Sequence, residues 1–85
     1  MKISYDSEVD ALYIELLPLA PGTAETRGEL SEEISANYSP DGKLAGLEIL
    51  EASLVLGEQL QEIIIENAAT KVLHRMAILK PKNPY

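Results

Sequence analysis

The sequence has no cysteine, tryptophan or phenylalanine, and its single histidine is His74. Without cysteine there is no disulfide framework, and one histidine cannot build a structural zinc site within one chain. A reduced, cytoplasmic setting is therefore expected. No apolar run reaches the ~18 residues that a membrane span needs; stretches such as ASLVLG fall far short. The opening MKISYDSEVD lacks an apolar core segment, so no signal peptide is expected. There is no P-loop, no Gly-x-Gly-x-x-Gly, no interleaving of basic and aromatic residues, no internal repeat and no low-complexity segment.

Basic residues are scarce and unevenly placed. Residues 1–66 carry all 14 acidic residues but only Lys2, Arg27 and Lys43 as bases, whereas residues 67–85 carry Lys71, Arg75, Lys80 and Lys82 and no acid. An acidic body repels nucleic acid and anionic membranes, so neither is expected as a partner. The basic tail would complement its own acidic body or a neighbouring chain.

What is present points to one small folded domain. With 46% apolar residues the 85-residue chain is not disordered. A chain of this size buries only about 60–65% of its unfolded surface, which leaves a thin core and favours oligomerisation.

Strand patterns fill the first two thirds. KISY puts Ile3 and Tyr5 on one face, and ALYIELL alternates Leu12, Ile14 and Leu16 against Ala11, Tyr13 and Glu15. PLAPGT reads as a loop, ETRGEL as a polar edge strand, and EISANY again alternates. SPDGK is the sharpest local signal: Pro40 presets a turn, Asp41 suits its second position, and Gly42 accepts a positive φ. A hairpin with a type I turn and a G1 bulge follows, leading into LAGLEIL with Ala45, Leu47 and Ile49 facing the core. Gly46 marks a bulge or a close approach.

After this the period changes. SLVLGEQLQ suits a short helical turn with Ser53 as N-cap, and EIII suits a short strand. A longer helix competes there, through the i, i+4 series Leu56, Leu60, Ile64 and Ala68. AATKVLHRMAIL reads as a helix, with Ala69, Val72, Leu73 and Met76 on one side and Lys71, His74 and Arg75 on another. KPKNPY is expected to be a loose end.

Candidate sites are few. Asp6, Glu8 and Asp10 alternate, but an EF-hand loop would need Gly at Ala11 and an acid at Leu17, and neither is there. Asx-type bonds bracketing a hairpin loop are the simpler expectation. Glu15 and Glu48 could share a sheet face and supply a carboxylate pair, though a solvated face is the plainer reading. Glu29, Glu32 and Glu33 form an exposed charge run. His74 reads as a surface residue, and Tyr5, Tyr13 and Tyr38 as half-buried sheet residues.

The segments YDSEVDALYIEL, ETRGEL and YSPDGKLAGLEILEAS resemble an uncharacterised family of small prokaryotic proteins, the domain of unknown function 2283. The resemblance spans about residues 1–66, with Glu51 where the family usually has Asp. It implies a compact fold with an antiparallel sheet, in which Asp6 and Asp10 shape the first hairpin and residues 11–14 form a central strand. It brings no enzyme activity, cofactor or catalytic residue.

The expected architecture is a single α+β domain: an antiparallel meander of about five strands in residues 1–66 and a helical extension with a loose tail in 67–85. The leading functional expectation is a non-catalytic interaction module that forms a homodimer, with an antitoxin-like variant in which it is the acidic partner of a basic protein. Leu54, Leu56, Leu60, Val72, Leu73 and Met76 are the interface candidates. A small-ligand or divalent-metal site using Asp6, Asp10, Tyr13 and Glu48 is the alternative, and a hydrolase with paired carboxylates comes third.

Overall fold

A computed structural model describes residues 1–20 and 26–79. The element order is β1 (Lys2–Asp6), β2 (Ala11–Glu15), β3 (Thr26–Glu29), β4 (Ile34–Tyr38), β5 (Leu44–Ile49), α1 (Ala52–Leu56), a 3-10 segment (Gly57–Gln61), β6 (Glu62–Asn67) and β7 (Val72–Ala77). The first five strands form one antiparallel sheet in the order β1-β2-β5-β4-β3, and β6 and β7 form a separate two-stranded sheet. The protein is α+β, as the alternating pattern predicts. Both β1–β2 and β3–β4–β5 run as consecutive neighbours, and the two blocks join where β5 pairs with β2.

The register explains the alternation. Leu12 opposes Ile49, Ile14 opposes Leu47, and Ile34 opposes Ile49 from the other side. These side chains share the face on which α1 and the 3-10 segment pack, closing a core of Leu12, Ile49, Ala52 and Leu60. It is a thin core, as the chain length implies. Half of the buried apolar residues are alanines (Ala36, Ala45 and Ala52), and Leu60 is the largest side chain fully removed from solvent.

The turn at Ser39–Lys43 has the predicted form. Gly42 donates to the Ser39 carbonyl (2.9 Å) at a φ of 84°, and Ser39 donates to the Lys43 carbonyl (2.8 Å). The Ser39 hydroxyl donates to Asp41 and accepts from the Lys43 amide. With Lys43 alongside, that bond holds the Asp41 carboxyl below its usual range, the serine hydroxyl contributing most.

Two expectations fail. Residues 69–79 do not form a helix. Val72–Ala77 is a strand paired with Glu62–Asn67 in the register Ile63–Met76, Ile65–His74 and Asn67–Val72. The sequence boundary at residue 66 therefore cuts through a hairpin. The physical reason lies in the turn: the Asn67 carboxamide accepts from the Ala69 and Thr70 amides (3.1 and 3.3 Å), and Lys71 sits at a φ of 63°. A helix would need αR geometry there. Once the chain reverses, β-branched Ile63–Ile65 and Val72 satisfy their backbone groups in a ladder.

The N-cap of α1 also differs from expectation. Helical geometry begins at Ala52, so Ser53 lies inside the helix, and Glu51 at the cap position (φ 50°) makes no side-chain cap bond. The acceptor comes from Asp10, 43 residues earlier in the chain. The expected loose end over residues 80–85 lies outside the described residues, as does the second half of the PLAPGT loop. Among the described residues no helix is long and apolar enough to cross a membrane.

Candidate functional site

Asp10 closes the four-residue loop between β1 and β2. Its φ of 55° is a left-handed conformation that Asp tolerates better than most residues. In that pose its main chain and side chain both turn toward the start of α1. The Asp10 carbonyl accepts from Ala52 N–H (2.9 Å), Oδ1 from Ser53 N–H (3.0 Å), and Oδ2 from the Ser53 hydroxyl (2.6 Å). The Tyr5 hydroxyl adds a further bond to Oδ1 (2.7 Å). Three donors to its carboxylate favour the ionised form, so the Asp10 pKa is lowered, chiefly by the Ser53 hydroxyl and then by Tyr5. The same bond raises the Tyr5 pKa, because the phenol gives up its proton less readily beside a carboxylate that accepts it.

This arrangement engages three of the roughly four acceptor sites of the Asp10 carboxylate. Asp6 is committed locally, with Oδ1 accepting the Glu8 amide (2.9 Å) in the expected Asx-type bond. Tyr13 and Glu48 oppose one another on β2 and β5. They alternate with Leu12 and Ile49, so they face away from the core while Asp10 caps the helix on the core side. Asp6, Tyr13 and Glu48 thus share the outer face of the sheet, on three adjacent strands, while Asp10 turns to the other side, so the four do not converge. Among the described residues no group of three or more His, Asp or Glu side chains comes close enough to hold a metal ion. Glu15 opposes Gly46, two pairs along from Tyr13–Glu48, so Glu15 and Glu48 share a face as diagonal neighbours.

Gly46 marks a close approach. A Cβ there would lie 2.5 Å from Tyr13 Cζ and 2.8 Å from the Ile14 carbonyl oxygen. The end of the tyrosine fills the space a side chain would take.

The chain matches the family described as a protein of unknown function (DUF2283) over residues 2–53. The protein belongs to the DUF2283 family. Comparison with curated proteins and with solved structures gives no match. The matched region ends at Ser53, the residue that Asp10 binds. In this DUF2283 chain the Tyr-Asp and Asp-Ala-Leu-Tyr-Ile stretch and the later Ala-Ser thus meet as one structural clamp. The 3-10 segment and the β6–β7 hairpin lie beyond the matched region.

That hairpin carries the other candidate site. It is anchored at its base by Leu60 on one side and by Ile78 and Leu79 on the other, which pack into the core, and Ile78 N–H bonds to the Gln61 carbonyl (2.8 Å). Beyond the base every residue but Ile63 is exposed. Its two faces differ. One carries Glu62 and Arg75, joined at 2.8 Å, with Ile64, Glu66 and Leu73. The other carries Ile63, Ile65, Val72 and Met76, with His74 opposite Ile65 and Asn67 opposite Val72; Ile63, Ile65 and Met76 look across a groove of about 450 Å³ at Met1 and at Ile3 and Tyr5 of β1.

Of the interface candidates, Leu60 is taken by the subunit's own core at 1% exposure, and Leu56 packs against that core. Leu54, Val72, Leu73 and Met76 are exposed. Arg75 finds its acid on its own hairpin, so the basic segment complements its own chain there. His74 is exposed on β7. Of the groove residues, Ile63 and Ile65 fall in the apolar segment 54–79 expected at an interface, whereas Met1 and Ile3 carried no such signal.

Proposed function

We propose that this DUF2283 protein is a non-catalytic interaction module that works as a homodimer, with the apolar side of the β6–β7 hairpin at the subunit contact. The unpartnered hairpin carries this reading. An isolated two-stranded hairpin is marginal in water, and a stable one needs a third strand or a packed face. Here Ile65, Val72 and Met76 are each about half exposed. Contiguous apolar surface of this kind marks interaction sites on soluble proteins.

Association then draws mainly on apolar burial, because exposed ion pairs contribute only about 0–1 kcal/mol. Light scattering at micromolar concentration tests the reading. The expected mass is twice the 9.3 kDa chain, little changed between low and high salt. Met76→Asp should give a folded monomer. A wild-type monomer at that concentration refutes the homodimer.

The acidic body supports an antitoxin-like extension of the same reading, in which the dimer offers its carboxylates to a basic protein. All 14 acids lie in residues 1–66, and Glu29 and Glu32 are exposed beside the β3–β4 turn. Such a complex should weaken steeply with salt, whereas the homodimer should not.

A further inference from the structure

β1 is an edge strand, paired with β2 on one side and open on the other. An open edge is a template for another strand unless charge or covering blocks it. Its sequence is KISYD, with exposed Lys2, Ser4 and Asp6 on one face and half-buried Ile3 and Tyr5 on the other. The groove opens beside Ile3 and Tyr5, with the apolar side of the hairpin as its far wall.

The pattern complements itself. Directly opposed residues in antiparallel strands share a face, so a two-fold axis between two copies of β1 must pass through a residue. An axis at Ser4 keeps all five strand residues paired. It sets Lys2 opposite Asp6 of the second copy, Ile3 opposite its Tyr5, and Ser4 opposite its Ser4. Both charged pairs are then of opposite sign, which stabilises cross-strand pairing. Axes at Ile3 or Tyr5 pair fewer strand residues and leave the charges unmatched.

We infer that the occupant of the groove is a second copy of this chain, joined by antiparallel β1–β1 pairing centred on Ser4. The two sheets become one ten-stranded sheet. Ile3 and Tyr5 of each copy enter the groove of the other and cover Ile63, Ile65 and Met76. The hairpin is then the floor beneath the added strand, so its exposed apolar side gains the packing it lacks in one subunit. This inference rests on the homodimer reading and specifies its register.

A chain without cysteine allows a clean test. Directly opposed Cα atoms lie about 4.5–5.5 Å apart in antiparallel pairs, within disulfide reach. Ser4 is exposed, so Ser4→Cys should fold, which circular dichroism checks. Under mild oxidation it should convert to a covalent dimer. Lys2→Cys should not, because the two copies of position 2 are then separated by four residues, roughly 13 Å. Lys2→Glu, placing like charges opposite Asp6 at both ends, should weaken self-association by roughly tenfold.

The failures are distinguishable. A wild-type monomer with no Ser4→Cys cross-link overturns both the register and the homodimer, and uptake of an apolar dye by that monomer would give the groove to a small ligand. A wild-type dimer whose Ser4→Cys variant stays unlinked overturns the β1 pairing alone and points to hairpin-to-hairpin contact. Equal linking at positions 2 and 4 also overturns it, because random collision would explain both.

Discussion

Asp10 and Ser53 are joined by two hydrogen bonds across a separation of 43 residues, one from the serine amide and one from its hydroxyl. The β1–β2 loop thereby caps a helix that has no cap of its own. The clamp also ties the first hairpin to the segment that covers the core, since Ala52, next to Ser53, is fully buried.

The clamp has a pH signature. The Asp10 pKa is depressed below its ordinary 3.8, so its contribution to stability is present above that value and is lost as pH falls through the folded-state value. The Tyr5 pKa is raised above 10.0, so its contribution is present below pH 10 and is lost as pH rises through the folded-state value. Melting temperatures across pH should show a plateau between these limits. Tyr5→Phe should flatten the alkaline fall. Asp10→Asn should flatten much of the acid fall and leave the part that belongs to Asp41, whose pKa is also lowered.

The same bonds predict weak metal binding. Both Asp10 oxygens already accept hydrogen bonds, and the loop lacks the glycine and closing acid of a calcium site. Calorimetric titration with calcium should show no sub-micromolar binding. Such binding, abolished by Asp10→Asn, would contradict the clamp's purely structural role.

Two glycines should fail differently. Gly42 has nothing within 4 Å of a Cβ position, so Gly42→Val should cost about 1–2 kcal/mol from backbone strain alone. Gly46→Ala meets Tyr13 and the Ile14 carbonyl and should cost about 1–3 kcal/mol by overpacking. Adding Tyr13→Ala should relieve only part of that loss, because the carbonyl cannot move aside. Urea titrations of the three variants provide the comparison.

Leu60→Ala should be severe. Loss of a buried leucine costs about 2–5 kcal/mol, while a chain of this length has a total stability of roughly 4–13 kcal/mol. Denaturation of the variant should show a midpoint far below that of the wild type.

Much of the sheet is legible in local pattern. Period-two alternation at Leu12–Ile14 and Ile34–Ala36 reports a sheet with one buried face, and Ser39–Lys43 has the chemistry of its turn in five consecutive residues. Those signals are local because each strand needs only its own alternation and each turn its own φ preferences. Ser53 shows where this ends. Its composition and place suit an N-cap, yet the cap is Asp10, because the acceptor depends on which distant loop packs against the helix. The 69–79 segment shows the same limit. Val72–Leu73–Met76 satisfies a helical spacing and a strand equally well, and strand pairing with Ile63–Met76 register prevails only once the Asn67 turn brings the partner alongside.

Local sequence alone thus specifies an α+β domain with an acidic body, a thin core and the β1–β2 and β4–β5 hairpins. Each of these follows from composition, periodicity or turn chemistry within a few residues. The tertiary structure alone decided that Tyr5, Asp10 and Ser53 form one clamp, that Tyr13 covers Gly46, that β5 lies between β2 and β4, and that the last segment is an exposed hairpin facing β1. These are contacts between residues far apart in the chain, and their free energy exists only when both partners are in place.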